Sequence, residues 1–452
     1  MSGPGGWIVA VDFGTAFSKA AAVPRSATGP DAILRARPLR VGQVAGASRP
    51  HFVPSALYLA DRSIHFGPDA LDRVQRSTVG KREALQSFKL LLGTNDLEAF
   101  LPTRPSRRID PEGVFSYRDL IVLYLAYFLA LIDHAFREDI VIDGGSAEVW
   151  RYTRPGWFTD RTQNDHALTV DLFERAEAVR LALPDKFWLS PLSYEAAQTA
   201  LLAPSSAERL NIEAGVFEAS AAAAAYLPDV VDKAWSMIVV DMGAGTTDFG
   251  SYMRFPDACG ESKLVSLDHT IAVAGDDIDR SLLNVIIKKA KSFQTSRERG
   301  GLWRHLLPSI RARKEEIFAR GHLDIEFFGY RVNCSVRDLQ RSRDYRAIVR
   351  LIRKDFAAVV SRTARNAKQH NLAETIVVAT GGGAELPFMS DMLRRATARR
   401  SGVPVRLAPS APRWIAQSDF REEVSPIFHQ LAIAIGGAMA PRELLIRSVG
   451  VA

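Results

Sequence analysis

Two stretches of this chain share one pattern: Ile8-Val9-Ala10-Val11-Asp12-Phe13-Gly14-Thr15 and Ile238-Val239-Val240-Asp241-Met242-Gly243-Ala244-Gly245-Thr246. In each, an apolar run typical of a buried strand ends in an aspartate, and glycine then leads into a threonine. Glycine lets the backbone turn tightly enough to aim N–H groups at phosphate oxygens, and the aspartate can reach a phosphate-bound magnesium ion or its waters. The repeat therefore predicts two half-sites for a polyphosphate.

A third strand-to-glycine turn supports this interpretation. The run Thr375-Ile376-Val377-Val378-Ala379-Thr380 again reads as a buried strand, and it leads into Gly381-Gly382-Gly383-Ala384. A helix is predicted to follow from Pro387, because proline is favoured at the first helical position. One such turn is common in any α/β protein, but three at wide intervals indicate a single architecture.

The order of these turns resembles the duplicated nucleotide-binding fold of actin, the sugar kinases and the 70-kDa heat-shock chaperones of the DnaK type. The chaperone branch is the nearest match, because residues 218–226 (Glu-Ala-Ser-Ala-Ala-Ala-Ala-Ala-Tyr) are similar to its connecting helix. Other segments resemble chaperone segments in the family's order: Pro54-Ser55, residues 88–93, residues 154–158, residues 274–279 and residues 432–438.

The resemblance implies an α/β, duplicated actin-like ATPase fold with two lobes, each a mixed sheet with helices, and a nucleotide cleft between them. Lobe I is expected over residues 1–232, with the first phosphate turn, a small subdomain at about 40–145 and the connecting helix. Lobe II is expected over 233–452, with the second phosphate turn, a helical subdomain at about 280–370 and an adenosine turn. A chain of 452 residues exceeds what one core usually supports.

Composition and the apolar runs indicate in which cell compartment the protein is expected. The longest apolar stretch, Leu120 to Ile132, is shorter than the roughly 20 residues that cross a bilayer, so we predict a buried helix and no membrane insertion. No basic segment precedes the first apolar run, which ends at Asp12, so no secretion signal is expected. The two cysteines, Cys259 and Cys334, have neither metal-ligand nor disulfide-framework spacing. These features predict a cytoplasmic protein.

The net charge of +7 permits attraction to acidic partners. The basic residues alternate with acids along helical patterns, however, and no zinc or helix-turn-helix signature accompanies them. Nucleic-acid binding is therefore not expected, and the oligomeric state is left open.

The resemblance assigns a Mg²⁺ site, held mostly through waters, to the four acids Asp12, Asp241, Asp248 and Glu218. Four acids converging on one cleft would repel each other without a cation. Three of these acids, Asp241, Asp248 and Glu218, count as catalytic together with Thr246 and Lys89, the lysine matched to the one that orients the attacking water. Lys19 is a second candidate, because it falls where actin carries its phosphate lysine.

ATP or ADP is the implied ligand. Its phosphates are expected to contact Gly14, Thr15, Gly243, Gly245 and Thr246. The adenosine turn matches Gly381, Gly382 and Gly383, and Lys314 matches a lysine on the ribose side. The chain departs from the family at Ala16, where a threonine is usual, and at Glu385, where an arginine normally stacks on adenine. The first departure bears on hydrolysis rate, and the second on base identity.

We therefore expect an ATP-binding, slowly hydrolysing, chaperone-like switch that acts through a separate partner protein. After Ala438 only 14 residues follow in this sequence, too few for a peptide-binding domain. The segment 160–218 is longer than its chaperone equivalent, and Pro184, Phe187 and Trp188 are a candidate docking surface within it. The alternatives are an actin-like filament former, a small-molecule kinase, for which no substrate loop is recognised, and a pseudo-ATPase scaffold.

Overall fold

The structure of the chain is a computed structural model that describes residues 6–25, 33–76, 82–94, 96–155, 162–204, 210–230, 234–256, 262–290, 295–327, 330–397 and 403–446. These residues form a mixed α/β structure in which helices lie against several sheets. The prediction of an α/β protein is confirmed. Part of the segment matched at 154–158, namely 156–158, and Cys259 fall outside the described residues.

The first half of the chain supplies one large sheet and one small sheet. Its strands are β1 Gly6–Phe13, β2 Phe17–Pro24, β3 Arg37–Pro38, β4 Val53–Pro54, β5 Ala56–Ala60, β6 Ser63–Phe66, β7 Leu85–Gln86, β8 Ser146–Arg154, β9 Leu192–Ser193 and β10 Ile212–Phe217. Its helices are α1 Val41–Val44, α2 Gly67–Arg76, α3 Phe88–Leu92, α4 Leu97–Phe100, α5 Tyr117–Arg137, α6 Thr162–Ala182, α7 Tyr194–Leu201 and α8 Glu218–Tyr226.

The second half supplies the other large sheet and a two-stranded hairpin. Its strands are β11 Trp235–Met242, β12 Thr247–Pro256, β13 Ser262–Ile271, β14 His322–Phe327, β15 Tyr330–Ser335, β16 Thr375–Thr380, β17 Val405–Leu407 and β18 Leu445–Ile446. Its helices are α9 Gly275–Lys289, α10 Ser296–Leu306, α11 Ile310–Arg320, α12 Val336–Arg341, α13 Arg343–Gln369, α14 Pro387–Thr397, α15 Arg421–Val424 and α16 Phe428–Met439.

The two large sheets have the same strand order. One contains β3-β2-β1-β8-β10 and the other β13-β12-β11-β16-β17, so each runs third, second, first, fourth, fifth in chain order. In both, the first three strands are antiparallel neighbours and the last two are parallel to the first. The predicted strand-to-glycine turns end β1, β11 and β16. The two Asp-Gly turns therefore occupy equivalent positions in the two sheets.

The three largest hydrophobic cores among the described residues each join several elements. One lies in the first half around α5, and one in the second half around α9 and α13. The third joins the two halves and is built on α8 and α16. The two helices cross in very close contact, because a Cβ placed on Gly436 would overlap the carbonyl oxygen of Ala221. The all-buried α8, with five consecutive alanines at 221–225, matches the predicted connecting helix.

Some elements that follow the predicted boundary at residue 232 pack against elements that precede it. Helix α16 lies against β1 and β2, and β18 pairs with β10, although both elements belong to the predicted lobe II. The predicted helical subdomain contains α9 to α13 and also the β14–β15 hairpin, which the sequence pattern did not predict.

Helix α5 confirms the predicted buried helix at 120–132. Among the described residues it is the one helix long and apolar enough to span a membrane, yet 83% of its apolar window is buried inside the protein. It forms the centre of the first core, where Tyr124 stacks on Phe88 with ring centroids 4.5 Å apart. This burial is what a core helix shows.

The docking surface predicted around Pro184, Phe187 and Trp188 stays a prediction; of these three residues, Pro184 is exposed and the two aromatics lie against the core. Phe187 is buried in the first core, and Trp188 packs partly buried against that core, 5.6 Å from the His134 ring. These aromatics anchor the end of α6 because burying their rings removes apolar surface from water. Among the described residues of the segment 160–218, the large hydrophobic side chains that are exposed are Leu181, Leu189 and Leu202.

Candidate functional site

A cavity of about 570 Å³ lies where the glycine turns of the two large sheets face each other. It is lined from both halves of the chain, as expected of a cleft that binds a ligand between two sheets. Of the predicted site residues, it is lined by Asp12, Gly14, Thr15, Lys19, Lys89, Asp241, Gly243, Thr246, Lys314, Gly381, Gly382, Gly383 and Glu385. Gly245 lies against Leu90, while Glu218 and Asp248 are buried.

Strand register builds the acidic side of the cleft. Asp241 pairs with Thr380 on one neighbouring strand and with Asp248 on the other, and Asp248 pairs in turn with Thr270. The hydroxyl of Thr380 donates to Asp241 Oδ1 at 3.0 Å, and that of Thr270 donates to Asp248 Oδ1 at 2.5 Å. A row across four strands therefore holds two carboxylates between two hydroxyl donors.

A third carboxylate joins this row from the first residue of α8. Oxygens of Glu218, Asp241 and Asp248 lie within 4.8 Å of one another, and all three side chains are buried. Carboxylate oxygens are the ligands that Mg²⁺ prefers. Glu218 Oε2 is buried and accepts no hydrogen bond from the residues described, so it has capacity for a cation or a water. These residues fit a divalent metal ion.

Lys89 supplies positive charge to the acids. It lies on α3 and forms an ion pair with Glu218, with both side chains largely shielded from solvent. Burial opposes the charged ammonium, but the carboxylates of Glu218, Asp12 and Asp248 outweigh burial and raise the pKa of Lys89. Lys89 is therefore charged at neutral pH and lies next to Glu218.

Asp12 lies on the other side of the cleft and has its own partners. Its Oδ2 is 2.5 Å from Lys19 Nζ, and its Oδ1 accepts from the Thr153 hydroxyl at 3.2 Å. The pairing follows from register, because Asp12 and Lys19 are opposite each other in the β1–β2 hairpin. The three-carboxylate cluster thus forms without Asp12, which is bound by a lysine.

Two carboxyl groups of the cluster, Glu218 and Asp241, retain protons more strongly than isolated carboxyl groups do. Burial raises the pKa of Glu218 to about 8 despite the opposing charge of Lys89, and the neighbouring carboxylates add to the rise. Burial, together with Asp248, raises the pKa of Asp241 to about 6. Since the folded state binds these protons more tightly than the unfolded state, this cluster lowers the free energy of unfolding as pH rises from about 4 to about 8.

Metal binding is therefore expected to depend on pH. A divalent cation needs the carboxylates deprotonated, so the affinity for Mg²⁺ should increase by roughly 50-fold between about pH 6 and about pH 8, as Glu218, with its pKa of about 8, loses its proton. Isothermal titration at the two pH values measures this. Glu218→Gln is the matched control, since it removes the group that titrates near pH 8 and should flatten the dependence. A flat dependence in the unmodified protein would contradict the prediction.

The third glycine turn, which lies against Asp241, and α11 form another part of the wall of the cleft. Gly381 has φ +80°, and a Cβ there would overlap the carbonyl oxygen of Met242, so only glycine fits. Lys314 Nζ is 3.0 Å from Asp279 Oδ1 and donates to the carbonyl of Gly275 at 3.0 Å. Glu385 is largely exposed, 3.7 Å from His429. This part of the cleft is lined by backbone groups and by side chains of both charges.

Several residues of the site were not predicted from the sequence. The hydroxyls of Thr153, Thr270 and Thr380 hold the acids, and only Thr380, directly before the glycine turn, carried a local signal. The cavity is also lined by Arg49, Phe52, Arg311, Glu315, Phe318 and Gln430. Their contribution depends on chain segments that meet only in the folded protein.

No protein-family model and no curated protein matches this sequence. The function of the cleft is therefore inferred from its own residues. The cavity is lined by lysines and by the glycine turns of both large sheets, and Asp241 of the buried acidic cluster belongs to its lining. Such a cleft suits an elongated anion that carries a divalent cation.

Proposed function

We propose that this protein is a Mg²⁺-dependent, ATP-binding switch that hydrolyses ATP slowly to ADP and phosphate and acts through a partner protein. We further propose that its fold is the duplicated two-lobe fold of actin and the 70-kDa chaperones. Support comes from the shared strand order of the two large sheets and from the Asp-Gly turn that each contributes to one cavity.

The observation that best supports this proposal is the placement of the buried acids relative to the two lysines. Glu218, Asp241 and Asp248 form a compact cluster, and Lys89 and Lys19 lie beside the acids of the cleft. Phosphoryl transfer to water needs positioning and charge neutralisation more than covalent chemistry. A metal ion on these acids would neutralise phosphate charge, and Lys89 would steady the terminal phosphate and the attacking water.

The role of a switch follows from the position of the ligand between two halves. Residues on both large sheets line the cavity, so a bound nucleotide would contact both and favour their closure. Hydrolysis would remove the terminal phosphate and with it part of that bridge. The expected output is a change in the affinity for a partner.

Thermal unfolding of the purified chain tests ligand and metal together. Mg²⁺ with ATP should stabilise the folded state by about 2.7 kcal/mol at roughly 100 times the Kd, while ATP in chelator should have little effect. Hydrolysis is measured separately, by release of labelled phosphate in a single turnover. An equal stabilisation by ATP with and without metal would contradict the proposed Mg²⁺-dependent binding of ATP. Binding without any turnover would favour the pseudo-ATPase, and ATP-dependent sedimentation would favour the filament former.

A further inference from the structure

A groove follows the seam between α13 and α14 in the second half of the chain. Two cavities lie along it, one of about 540 Å³ and one of about 150 Å³, and Arg353 lines both. Tyr345 and Phe388 line the first cavity, and Val360 and Ala396 line the second. The groove therefore follows about four turns of α13, roughly 22 Å at the rise of an α-helix.

The rim of this groove is positively charged. Arg346, Arg350 and Arg353 have helical i, i+4, i+7 spacing, so they share one face of α13, and all three line the first cavity. Arg395 of α14 lines the second. Asp391 is the one carboxylate among the described residues that line the groove, and it lies 2.7 Å from Arg353 and 3.1 Å from Arg395. Four arginines and one aspartate leave a net charge of +3 on the groove.

Two of these arginines can pair with another molecule at little cost. Arg346 and Arg350 are exposed, and neither forms an ion pair within the described part of the chain. Arg346 only donates from Nε to the carbonyl of Ser342, at 3.4 Å. Guanidinium groups bind carboxylates through two parallel hydrogen bonds. Carboxylates of a ligand could therefore reach both arginines without breaking an existing ion pair.

The floor of the groove is apolar and contains an unpartnered hydroxyl. The buried side chains of Val349 and Phe388 line the first cavity, and those of Phe356 and Met392 line the second. Tyr345 is only 4% exposed and meets the Phe388 ring edge-on at 6.3 Å, yet its hydroxyl has no hydrogen-bond partner among the residues described. A buried polar group left unpaired costs free energy. A ligand in the groove could supply the missing partner.

The pattern of charge and apolar surface indicates the kind of ligand. Arginines one helical turn apart match carboxylates one turn apart on a second helix, and the apolar floor matches side chains on the adjoining face of that helix. A nucleic acid would pair with the arginines through its phosphates, but its backbone has no apolar face for the floor.

We propose that the groove between α13 and α14 binds an acidic, amphipathic helix of a partner protein. The proposal goes beyond the nucleotide switch by naming the surface and the chemistry through which a partner binds. It does not depend on nucleotide binding, because none of the described residues that line the groove also lines the cleft.

Fluorescence anisotropy with labelled synthetic peptides tests the groove on the full chain, without nucleotide. About 150 mM salt limits attraction between distant charges. One peptide of about 15 residues, the length of the groove, carries glutamates one turn apart beside a leucine face. A second peptide has the same composition in scrambled order, and a third has lysines in place of the glutamates. Only the first should bind saturably.

Variants of α13 locate the binding. Arg346→Gln and Arg350→Gln should each weaken the patterned peptide about three- to fivefold, and the double variant about tenfold. The matched control is the double variant Arg362→Gln, Arg365→Gln. It removes the same charge from exposed positions of the same helix that line neither cavity, and should change the affinity by less than about twofold. Thermal unfolding without peptide checks that both double variants are folded.

Three results would overturn the proposal. The scrambled peptide could bind as tightly as the patterned one, or both double variants could weaken binding equally, and either result would show general attraction to a basic surface. Displacement of the patterned peptide by an equal concentration of a single-stranded DNA oligonucleotide would favour a nucleic acid instead. None of these measurements involves ATP, so failure of the groove leaves the nucleotide switch untouched, and failure of the switch leaves the groove untouched.

Discussion

Lys89→Met is expected to destabilise the metal-free protein by about 3 kcal/mol or more at about pH 8.5, because the buried Glu218 must then either keep a charge without its partner or bind a proton at a pH where it is ionised beside Lys89. At about pH 6 the loss should be smaller, since Glu218, whose pKa burial raises to about 8, can then take up a proton. Urea unfolding at the two pH values measures both free energies.

Two comparisons make the result for Lys89 specific. The double variant Lys89→Met, Glu218→Gln has no unpaired buried charge and should recover most of the lost stability. Mg²⁺ alone should also stabilise the single variant more than the unmodified protein, because the metal no longer competes with an ammonium group. If the single variant is as stable as the unmodified protein at high pH, the ion pair does not balance the cluster as described.

Asp241→Asn is expected to abolish the Mg²⁺-dependent stabilisation by ATP. Asp241 contributes an oxygen to the candidate metal site, lines the cleft and is held by Thr380, so its loss removes charge at the centre of the cluster. Asparagine has nearly the same shape, which keeps the fold comparable. In the unmodified protein, Mg-ATP at roughly 100 times the Kd should raise the free energy of unfolding by about 2.7 kcal/mol. In Asp241→Asn this increase, followed by the unfolding temperature, should disappear.

Asp391→Asn is the matched control for Asp241. Asp391 is a carboxylate of α14 that pairs with Arg353 at 2.7 Å and does not line the cleft. This variant should keep the full ligand-dependent shift whatever its own stability. If Mg-ATP stabilises Asp241→Asn as much as the unmodified protein, the candidate Mg²⁺ site on Glu218, Asp241 and Asp248 has no support.

The parts of the fold that the sequence predicted are those set by local chemistry. An apolar run that ends in Asp-Gly is a strand and a turn wherever it occurs, and β1, β11 and β16 end as expected. The alanine run before Tyr226 has high helix propensity and no polar face, which predicts a buried helix, and α8 is one.

Features that depend on pairing between distant segments were not predicted. Thr270 reaches Asp248 only because β12 and β13 pair in one register, and a shift of one residue would turn the hydroxyl away. Likewise β18 joins the first sheet from the far end of the chain, and the burial of Phe187 depends on α5 packing beside it. No local pattern encodes these contacts.

Arg49 shows the same limit at the site. In the sequence it is one arginine in a polar stretch before a proline, with nothing to distinguish it from the other basic residues. Its position depends on Phe52, Gln430 and two glutamates that come together from three separate segments. Lys89, by contrast, was predicted through the resemblance of residues 88–93, because that match supplied the tertiary context that the residue alone lacks.

The close crossing of α8 and α16 has a consequence for how the protein moves. At Gly436 the two helices meet backbone to backbone, and the facing surface of α8 carries only methyl groups over residues 221–225. Long side chains that interlock resist sliding, because each must change rotamer before its neighbour can pass. Here no such obstruction exists at the crossing point. We therefore expect the two helices to shift against each other more easily here than helices with interlocked long side chains would, and a Cβ at position 436, which would overlap Ala221, to oppose that movement.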